Sequence, residues 1–398
     1  MGWPEYLLAR AVLRALGRVF ARFPFRPRRV VFATARTPVL EGNLAFIHAA
    51  MAERHPRLDY VFLLEPYSYG WAAKLRYLAR LVRGMYYLQT SALVVVDNAY
   101  LPVHVMRHRP ETTVVQVWHA AGALKRFGLD APALRRPSER RFLHRHYDYV
   151  VVGGESAREP YASALRTPAT RVLALGSPRT DFFFDAGAMA AARERVLAEH
   201  PQLRGRRVVL YAPTFRGAGE GKRAAPGFDA RRLRAALPPD HAVVLKAHPN
   251  LDRAATPTDG YDAVIDPTAE INEIFTATDV LVTDYSSSVF EWALLGRPLV
   301  LLVGDLDRYE ADPGMYLDYR SGMIGVQVAD TDGVARAILE DQFEIERYEA
   351  FVQRHLSASD GRASARFVER FAPRPIPRAT AAERDDVRDT LPDHVHHE

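Results

Sequence analysis

The chain has 398 residues, of which 48% are hydrophobic and 25% charged, the composition of a soluble globular protein with two or three domains. Its net charge of +5 is too small for a dedicated nucleic-acid-binding protein without a concentrated basic patch. The absence of cysteine excludes disulfides and thiolate chemistry, and is consistent with a cytoplasmic protein. No apolar run approaches the roughly 20 residues of a membrane span, so we expect neither a signal peptide nor a transmembrane helix.

Two basic amphipathic segments occur in the first quarter of the chain. The segment 6–23 spaces four arginines at intervals of four residues, which places them in one stripe along a helix, and the segment 74–87 repeats the theme. Arginine beside an apolar face is typical of a helix on an anionic lipid surface, although a helix packed on its own domain can carry the same residues. We favour the membrane-surface interpretation because there are two such segments. The four arginines are Arg10, Arg14, Arg18 and Arg22.

Eleven short apolar runs, several of them separated by helical stretches, predict two parallel sheets covered by helices. A break at Gly176-Ser177-Pro178 divides the runs into two groups. The runs are 29–33, 60–64, 92–96, 113–118, 149–152 and 171–175 before the break, and 208–211, 242–245, 263–265, 280–282 and 299–302 after it. Two α/β domains of this kind are expected to bind a ligand between them, at the carboxyl ends of their strands.

The predicted domains are an N-terminal domain over 1–185, which carries the basic helices, and a C-terminal domain over 186–372. Apolar residues thin out in 373–398, where Pro, Arg, Asp and Thr dominate. We expect that tail to be disordered.

The segment 279–298, DVLVTDYSSSVFEWALLGRP, predicts a strand, a serine-rich turn and a helix. Ser288 and Glu291 have the spacing of a capping box, in which each side chain satisfies a free backbone N–H at the start of a helix. Ser286 and Ser287 would then be free at a helix N-terminus, where an anion such as phosphate is favoured. The alternative is that the three serines are ordinary turn residues.

Polar side chains follow other predicted strands at the edge where an open sheet binds its ligand. His119 can accept a proton near neutral pH, and it precedes small residues that would let a substrate approach the backbone. Arg216 can bind phosphate oxygens through two N–H groups, and His248 precedes a proline that confines it to extended conformations. Asp284 could orient a ligand hydroxyl or a histidine. Each of these residues also has an ordinary structural interpretation.

No P-loop, G-x-G-x-x-G motif or zinc-binding spacing occurs in the chain, which disfavours nucleoside-triphosphate hydrolysis and dinucleotide redox chemistry. No carboxylate cluster indicates a metal. We therefore expect neither a metal nor a cofactor.

Six segments carry a family likeness when they are taken in order: VWHAAGALKRFG, YAPTFRG, KAHP, TDYSSSVFEWALLGRPLVLLVGDLDRY, GMYLDY and DGRASARF. Looser similarities occur at GNLAFI (42–47), SALVVVDNAYLP (91–102) and GSPRTDFFF (176–184). Together they resemble the CDP-glycerol glycerophosphotransferase family of teichoic-acid primases and polymerases. The likeness runs from about Val31 to Phe371, and as an ordered set the motifs are specific.

The resemblance implies a GT-B-like α/β fold, in which two Rossmann-like domains place their parallel sheets on either side of a central cleft. The C-terminal domain would bind the CDP-linked donor, and the acceptor would approach over the N-terminal domain. By the same resemblance His119 matches the proposed catalytic base, and His248 matches a donor pyrophosphate contact that we count as catalytic. The resemblance also assigns Ser286 and Ser287 to the pyrophosphate, and it suggests substrate binding for Lys125, Arg216, Asp284 and Asp318.

The sequence departs from many members after the Trp-His pair, where they carry Gly-Thr-Pro-Leu-Lys. Here the residues from Ala120 to Lys125 read AAGALK, which resembles another branch of the family. This departure leaves the acceptor and the polyol open. In size, the chain is expected to be closer to the primases than to the longer polymerases of the family.

The predicted function is transfer of glycerol phosphate or another polyol phosphate, with release of CMP, in the synthesis of a teichoic-acid-like or capsular polymer. The expected donor is CDP-glycerol or CDP-ribitol, and the expected acceptor is a lipid-linked saccharide or polyol phosphate. The enzyme is expected to be peripheral, on an anionic membrane surface at the cytoplasmic face of the cell membrane. Two alternatives stay open: a GT-B glycosyltransferase that uses a nucleotide sugar, and a catalytically silent membrane-associated binding protein.

Overall fold

In the part of the chain that the structure describes, two parallel sheets of six strands each form the framework. The ten strand pairs described there are all parallel, as expected for sheets whose strands are connected through helices. The predicted α/β class with two parallel sheets is therefore confirmed. The computed structural model describes residues 3–64, 71–132, 137–214, 216, 227–247, 258–312 and 314–373.

The first sheet has the strand order β2-β1-β3-β4-β5-β6. Its strands are β1 (Arg26–Thr34), β2 (Asp59–Leu64), β3 (Ser91–Val96), β4 (Thr113–Gln116), β5 (Tyr149–Val152) and β6 (Val172–Ala174). The helices around it are α1 (Trp3–Phe20), α2 (Gly42–Arg54), α3 (Trp71–Thr90), α4 (Leu101–Val105), α5 (Pro137–Phe142) and α6 (Arg158–Ala164). Helix α2 packs on one face of the sheet, whereas α1, α3, α4 and α6 contribute to the core on the other face.

The second sheet has the strand order β12-β11-β10-β7-β8-β9. Its strands are β7 (Arg207–Tyr211), β8 (His241–Lys246), β9 (Ala263–Ile265), β10 (Val280–Thr283), β11 (Leu299–Leu302) and β12 (Val326–Val328). The remaining helices are α7 (Ala186–Glu199), α8 (Ala230–Ala236), α9 (Ile271–Thr276), α10 (Ser288–Ala293), α11 (Leu306–Ala311), α12 (Tyr319–Gly322), α13 (Thr331–Leu339), α14 (Glu346–His355) and α15 (Ala363–Phe371). Helices α7, α9, α10 and α14 cover one face, and α8 and α13 cover the other.

All eleven predicted runs fall on observed strands, although several ends shift by one to three residues. The run predicted for 113–118 ends earlier, at Gln116, because the backbone turns at Trp118. The strand β12 was missed, since its three residues are short and only partly buried.

Helix α15 lies in the predicted C-terminal range but packs on the first sheet. Its residues Phe367, Val368 and Phe371 join the core formed with α2. The chain therefore crosses between the domains twice, once before α7 and once before α15. The carboxylate of Asp181, on the first crossing, accepts hydrogen bonds from two backbone N–H groups of the first turn of α15, at 2.9 and 2.8 Å.

Gly176 makes the return crossing possible. Its φ is +93°, and a Cβ there would lie 2.2 Å from the carbonyl oxygen of Ala358. Only glycine combines this backbone conformation with so close an approach.

Helix α1 packs on its domain partly through arginines. The guanidinium of Arg10 lies 4.0 Å from the ring centre of Phe142, and Arg14 Nε donates to the carbonyl of Val105 at 2.7 Å. Two of the four arginines of the predicted stripe therefore contact the protein, because periodicity alone does not say which side of a helix faces its domain. The outward side of α1 carries the exposed residues Leu7, Leu8, Val12, Arg18 and Val19, and exposed Arg22 follows the end of the helix.

None of the helices described is both long enough and apolar enough to span a bilayer.

Candidate active site between the two domains

The loop after β4 carries His119 and is held in an uncommon backbone conformation. Trp118 has a φ of +47°, in the left-handed region that large side chains rarely adopt. The side chain of Asn43 donates to the carbonyl oxygens of Val117 and Trp118 at 3.1 and 3.0 Å, and Gln116 accepts from the Trp118 N–H at 2.8 Å. Strained conformations persist where the surrounding structure holds them in this way.

The imidazole of His119 is neutral at physiological pH. Its Nδ1 lies 3.3 Å from the carbonyl oxygen of Asp97, which can only accept, so Nδ1 carries the proton and Nε2 keeps a free lone pair. Burial is the main reason that the pKa of His119 is lowered to about 3, and the positive charges of Arg36 and Arg179 add to the effect. The ring also stacks on Trp118, with 4.6 Å between ring centres. The histidine therefore has the protonation state that a general base requires.

The small residues after His119 serve domain packing. A Cβ on Gly122 would lie 2.5 Å from the ring of Phe290, a fully buried side chain of α10 in the second domain. Our expectation that these residues leave room for a substrate is thus wrong at Gly122, where the room is filled by Phe290. The contact brings the His119 loop directly against the helix that follows the serine turn.

The serine turn starts α10 in a different way from the predicted capping box. The helix begins at Ser288, and Ser286 Oγ accepts from the Ser288 N–H at 3.3 Å and lies 2.7 Å from Ser288 Oγ. Glu291 points toward Arg179, 3.4 Å away, because the helix turns this residue to the domain interface. The capping prediction is therefore wrong. Ser286 and Ser287 are both partly exposed, and Ser287 makes no capping hydrogen bond through its side chain.

Arg216 is the centre of an ion-pair network in the second domain. Its Nη1 lies 2.8 Å from Asp284, and its Nε and Nη2 donate to the two carboxylate oxygens of Asp305 at 2.7 and 3.2 Å. Asp284 is 1% exposed, and it also accepts from the backbone N–H and the hydroxyl of Thr214, at 2.9 and 3.0 Å. Both groups that we predicted to contact substrate are thus largely occupied in joining the ends of neighbouring strands.

Three tyrosines support this network. The ring of Tyr285 stacks on that of Tyr309 with 3.8 Å between centres, and its hydroxyl donates to Asp305 at 2.9 Å. The Tyr319 hydroxyl donates to the carbonyl oxygen of Asp284 at 2.6 Å. The conformation of the serine turn therefore depends on residues from three separate motifs of the sequence.

Lys125 brings the first domain to the same network. Its ammonium lies 5.2 Å from the ring centre of Tyr309, and the guanidinium of Arg216 lies 4.9 Å from that ring centre. The backbone of Lys125 forms an antiparallel bridge with Met315, flanked by a hydrogen bond from the Tyr316 N–H to the carbonyl of Leu124 at 2.9 Å. Lys125 is thus fixed at the boundary between the domains.

One predicted site residue, Asp318, is not placed with the others. The exposed carboxylate of Asp318 caps α12, where it accepts from the Arg320 N–H at 3.1 Å and from the Ser321 hydroxyl at 2.6 Å. These bonds lower the pKa of Asp318. His248 lies outside the described residues. Among the described residues, no three His, Asp or Glu side chains are grouped so as to hold a metal ion.

Sequence reasoning missed three residues that position the site: Asn43, Asp97 and Asp305. Each lies in or beside a segment that carries the family likeness, but none has a local pattern that indicates its partner. Asn43 and Trp118 are 75 residues apart in the chain, and Arg216 and Asp305 are 89 apart.

Two facing parallel-sheet domains, with a histidine loop of one packed on the serine-turn helix of the other, define a protein of the GT-B class. The structure of the wall teichoic acid polymerase TagF shares this fold, with a TM-score of 0.72 over 98% of both chains at 20% identity.

The chain belongs to the CDP-glycerol:poly(glycerophosphate) glycerophosphotransferase family, whose model matches residues 15–372. It is 33% identical to the teichoic acid poly(ribitol-phosphate) polymerase of Bacillus spizizenii, covering 89% of this chain and 57% of that protein. It is 30% identical to the teichoic acid ribitol-phosphate primase of the same species, covering 88% of this chain and 92% of that protein. The predicted family and fold are confirmed, and the predicted transferase activity agrees with the names of these relatives.

Proposed function

We propose that this protein transfers a polyol phosphate from a CDP-polyol to an acceptor hydroxyl, with His119 as the general base. The observation that carries the proposal is the contact of Gly122 with Phe290. It sets the loop of the neutral His119 imidazole against α10, the helix that begins at Ser288 directly after Ser286 and Ser287. A base from one domain and an anion-binding turn from the other then serve one reaction.

The donor phosphates are assigned to the second domain. The hydroxyls of Ser286 and Ser287 would contact the pyrophosphate, and the resemblance adds His248. Arg216 acts mainly by fixing the turn, because two carboxylates already pair with its guanidinium. Lys125, at the domain boundary, would supply positive charge to the leaving phosphate.

The reaction then proceeds in one displacement. The acceptor hydroxyl oxygen attacks the phosphorus that bears the polyol, and its proton moves to Nε2 of His119. The bond from that phosphorus to the bridging oxygen breaks, and CMP leaves with the bridging oxygen. Binding of the anionic donor would raise the pKa of His119 from its value in the free protein, and so make the imidazole a better base.

The experiment that tests the proposal is nucleotide release. Purified protein is incubated with CDP-glycerol, CDP-ribitol and a panel of nucleotide sugars, each with and without a membrane extract, and the products are separated by chromatography. We expect CMP only with a CDP-polyol and the extract. Release of a nucleoside diphosphate from a sugar donor would establish a glycosyltransferase instead. Donor binding without any release, in an extract that supports a known primase, would favour a silent binding protein.

The ribitol-phosphate enzymes among the relatives favour ribitol as the polyol. We therefore expect CDP-ribitol to give faster CMP release than CDP-glycerol at equal concentration. The reverse order would assign the chain to glycerol phosphate.

The outward side of α1 is proposed to hold the enzyme on an anionic membrane at the cytoplasmic face. Leu8 is 68% exposed, and Val12 and Val19 are 40% and 47% exposed. Exposed Arg18 and Arg22 lie beside them in the sequence. Apolar side chains with flanking arginines are what an interfacial helix needs, since the former enter the bilayer surface and the latter pair with lipid phosphates.

Liposome flotation tests this attachment. The triple change Leu8→Glu, Val12→Glu and Val19→Glu should abolish flotation with vesicles that contain anionic lipid. The matched control is Leu339→Glu, which alters a similarly exposed leucine, 52% exposed, on α13 of the second domain. Equal flotation of the triple variant and the control would contradict the proposed surface.

A further inference from the structure

Arg179 contacts both domains. It lies in the short helical turn Pro178–Phe184, between the last strand of the first sheet and α7, and its side chain is only 14% exposed. On the first-domain side, its Nη1 donates to the carbonyl oxygen of His119 at 3.4 Å. On the second-domain side, its Nη2 donates to Glu270 at 3.3 Å and to Asn272 at 3.4 Å.

The strongest charge opposite Arg179 is Glu291. The carboxylate of Glu291 is 2% exposed and lies 3.4 Å from Arg179 Nε. Burial raises the pKa of Glu291, and the positive charge of Arg179 acts against that rise. Burial of Arg179 acts to lower the pKa of its guanidinium. The negative charges of Glu291, Glu270 and Glu41 more than offset this effect, so the pKa of Arg179 is raised. The two buried charges therefore depend on each other.

Each end of this contact leads to a group of the proposed site. The backbone N–H of Arg179 donates to Asn43 Oδ1 at 3.0 Å, and the amide nitrogen of Asn43 holds the carbonyl of Trp118 next to His119. Glu291 belongs to α10, a helix of six residues that starts directly after Ser286 and Ser287. A shift of Arg179 would thus move the histidine loop and the serine turn relative to each other.

We propose that Arg179 is a positioning residue, which fixes the His119 loop of the first domain against the serine turn of the second through Glu291. This inference rests on the proposed function. The planar guanidinium suits the task because it presents several N–H donors in fixed directions, whereas lysine offers one compact ammonium. Lysine would keep the charge opposite Glu291 and lose the simultaneous contacts to Asn272 and His119.

The first test measures CMP release and donor affinity separately. Arg179→Met should lower kcat about 100-fold, the loss expected for a misplacement of about 1 Å, with donor Kd changed less than about threefold. Arg179→Lys should fall between Arg179→Met and the unmodified protein. Glu291→Gln should resemble Arg179→Met, and the double variant should lose little more than either single one, because the pair acts as a unit. The matched control is Arg195→Met, which removes an exposed arginine paired with Glu273 inside the second domain.

The second test does not depend on activity. The chain has no cysteine, so Glu159→Cys on α6 and Ala191→Cys on α7 allow a spin label on each domain. Pulsed electron–electron double resonance should give a narrow distance distribution for the doubly labelled protein without further change and for the same protein with Arg195→Met. With Arg179→Met the distribution should be broader or shifted.

An unchanged distance distribution in Arg179→Met would overturn the proposal, whether kcat is retained or lost, since loss without domain movement would mean direct contact with substrate. A protein that releases no CMP but shows the broadened distribution would refute the proposed function and keep the positioning role of Arg179. The two failures are thereby separate.

Discussion

The two sides of the domain boundary control charge in opposite ways. On the first-domain side, burial and two neighbouring arginines keep His119 neutral, with a pKa of about 3. On the second-domain side, Arg216 is held fully charged: burial lowers its pKa, but Asp305 and Asp284 raise it well above the ordinary arginine value.

Under the proposed function, the difference separates the general base His119 from Arg216, which positions the serine turn. His119 binds the carbonyl oxygen of Asp97 through Nδ1 and keeps the lone pair of Nε2. By contrast, most N–H groups of Arg216 pair with the carboxylates of Asp305 and Asp284. We infer that residue type is a poor guide to role at this domain boundary. The conspicuous arginine supports the serine turn, and the histidine remains available for chemistry.

The largest expected effect comes from removing the reactive group. His119→Asn keeps a donor for the Asp97 carbonyl but cannot accept a proton, so CMP release should fall by about 1000-fold, equivalent to about 4 kcal/mol of barrier. Donor binding, measured by calorimetry, should change little. His55→Asn, at the end of α2, is the control and should retain turnover. Turnover near that of the unmodified protein in His119→Asn would remove the histidine from the mechanism.

The ion-pair network of Arg216 in the second domain is broken by Asp284→Ala. This change leaves the partly buried Arg216 with one carboxylate fewer and Thr214 without its acceptor, so the free energy of unfolding should fall by about 3 kcal/mol. Urea titration followed by fluorescence measures the loss. The control Asp259→Ala removes an exposed partner of Arg231 and should cost less than about 1 kcal/mol. Equal losses in the two variants would show that the network does not stabilise the fold.

The contact that joins the two sides is broken by Gly122→Ala. The added methyl group meets the ring of Phe290, and overpacking of this kind should cost about 2 kcal/mol of stability. Gly187→Ala, in the first turn of α7, is the control, because a Cβ there meets only a side-chain oxygen at 3.4 Å. Combining Gly122→Ala with Phe290→Leu should restore part of the loss in thermal unfolding. If the single variant is as stable as the control, the domains do not pack as described.

The smallest effect concerns pH. Since the pKa of His119 is depressed in the free protein, protonation of the imidazole should reduce kcat/KM only at strongly acid pH. The bound anionic donor should move the acid limb of the pH profile of kcat to higher pH. Arg36→Gln removes one of the charges that lower this pKa, and should shift the limb of kcat/KM upward by about one unit. Thermal unfolding at each pH controls for loss of fold. A limb that moves downward in Arg36→Gln would contradict the assignment of the limb to His119.

The strands and the position of the candidate site could be predicted from the sequence because both depend on local patterns. Apolar β-branched runs such as Val280–Val282 identify buried strands, and polar residues that follow them lie at the ligand-binding edge. The partners of those polar residues could not be predicted. Glu291 has the local spacing of a cap but pairs with Arg179, a residue of the other domain, since tertiary packing overrides a weak local preference.

Which side of α1 faces the protein could also not be predicted from the local sequence. Four arginines at helical spacing predict a stripe, but only the contacts of Arg10 with Phe142 and of Arg14 with Val105 show that half of it faces the protein. Long side chains can cover apolar surface with their stems, so arginine is compatible with either side of a helix.

The return of α15 to the first sheet has a consequence for biosynthesis. One face of that sheet keeps an uncovered apolar surface until Phe367, Val368 and Phe371 have been made. By then the ribosome has already produced the whole second domain, so the domain synthesised first is completed last. We expect the nascent chain to depend on chaperones over this interval, because an exposed apolar sheet face is prone to aggregate while its covering helix is missing.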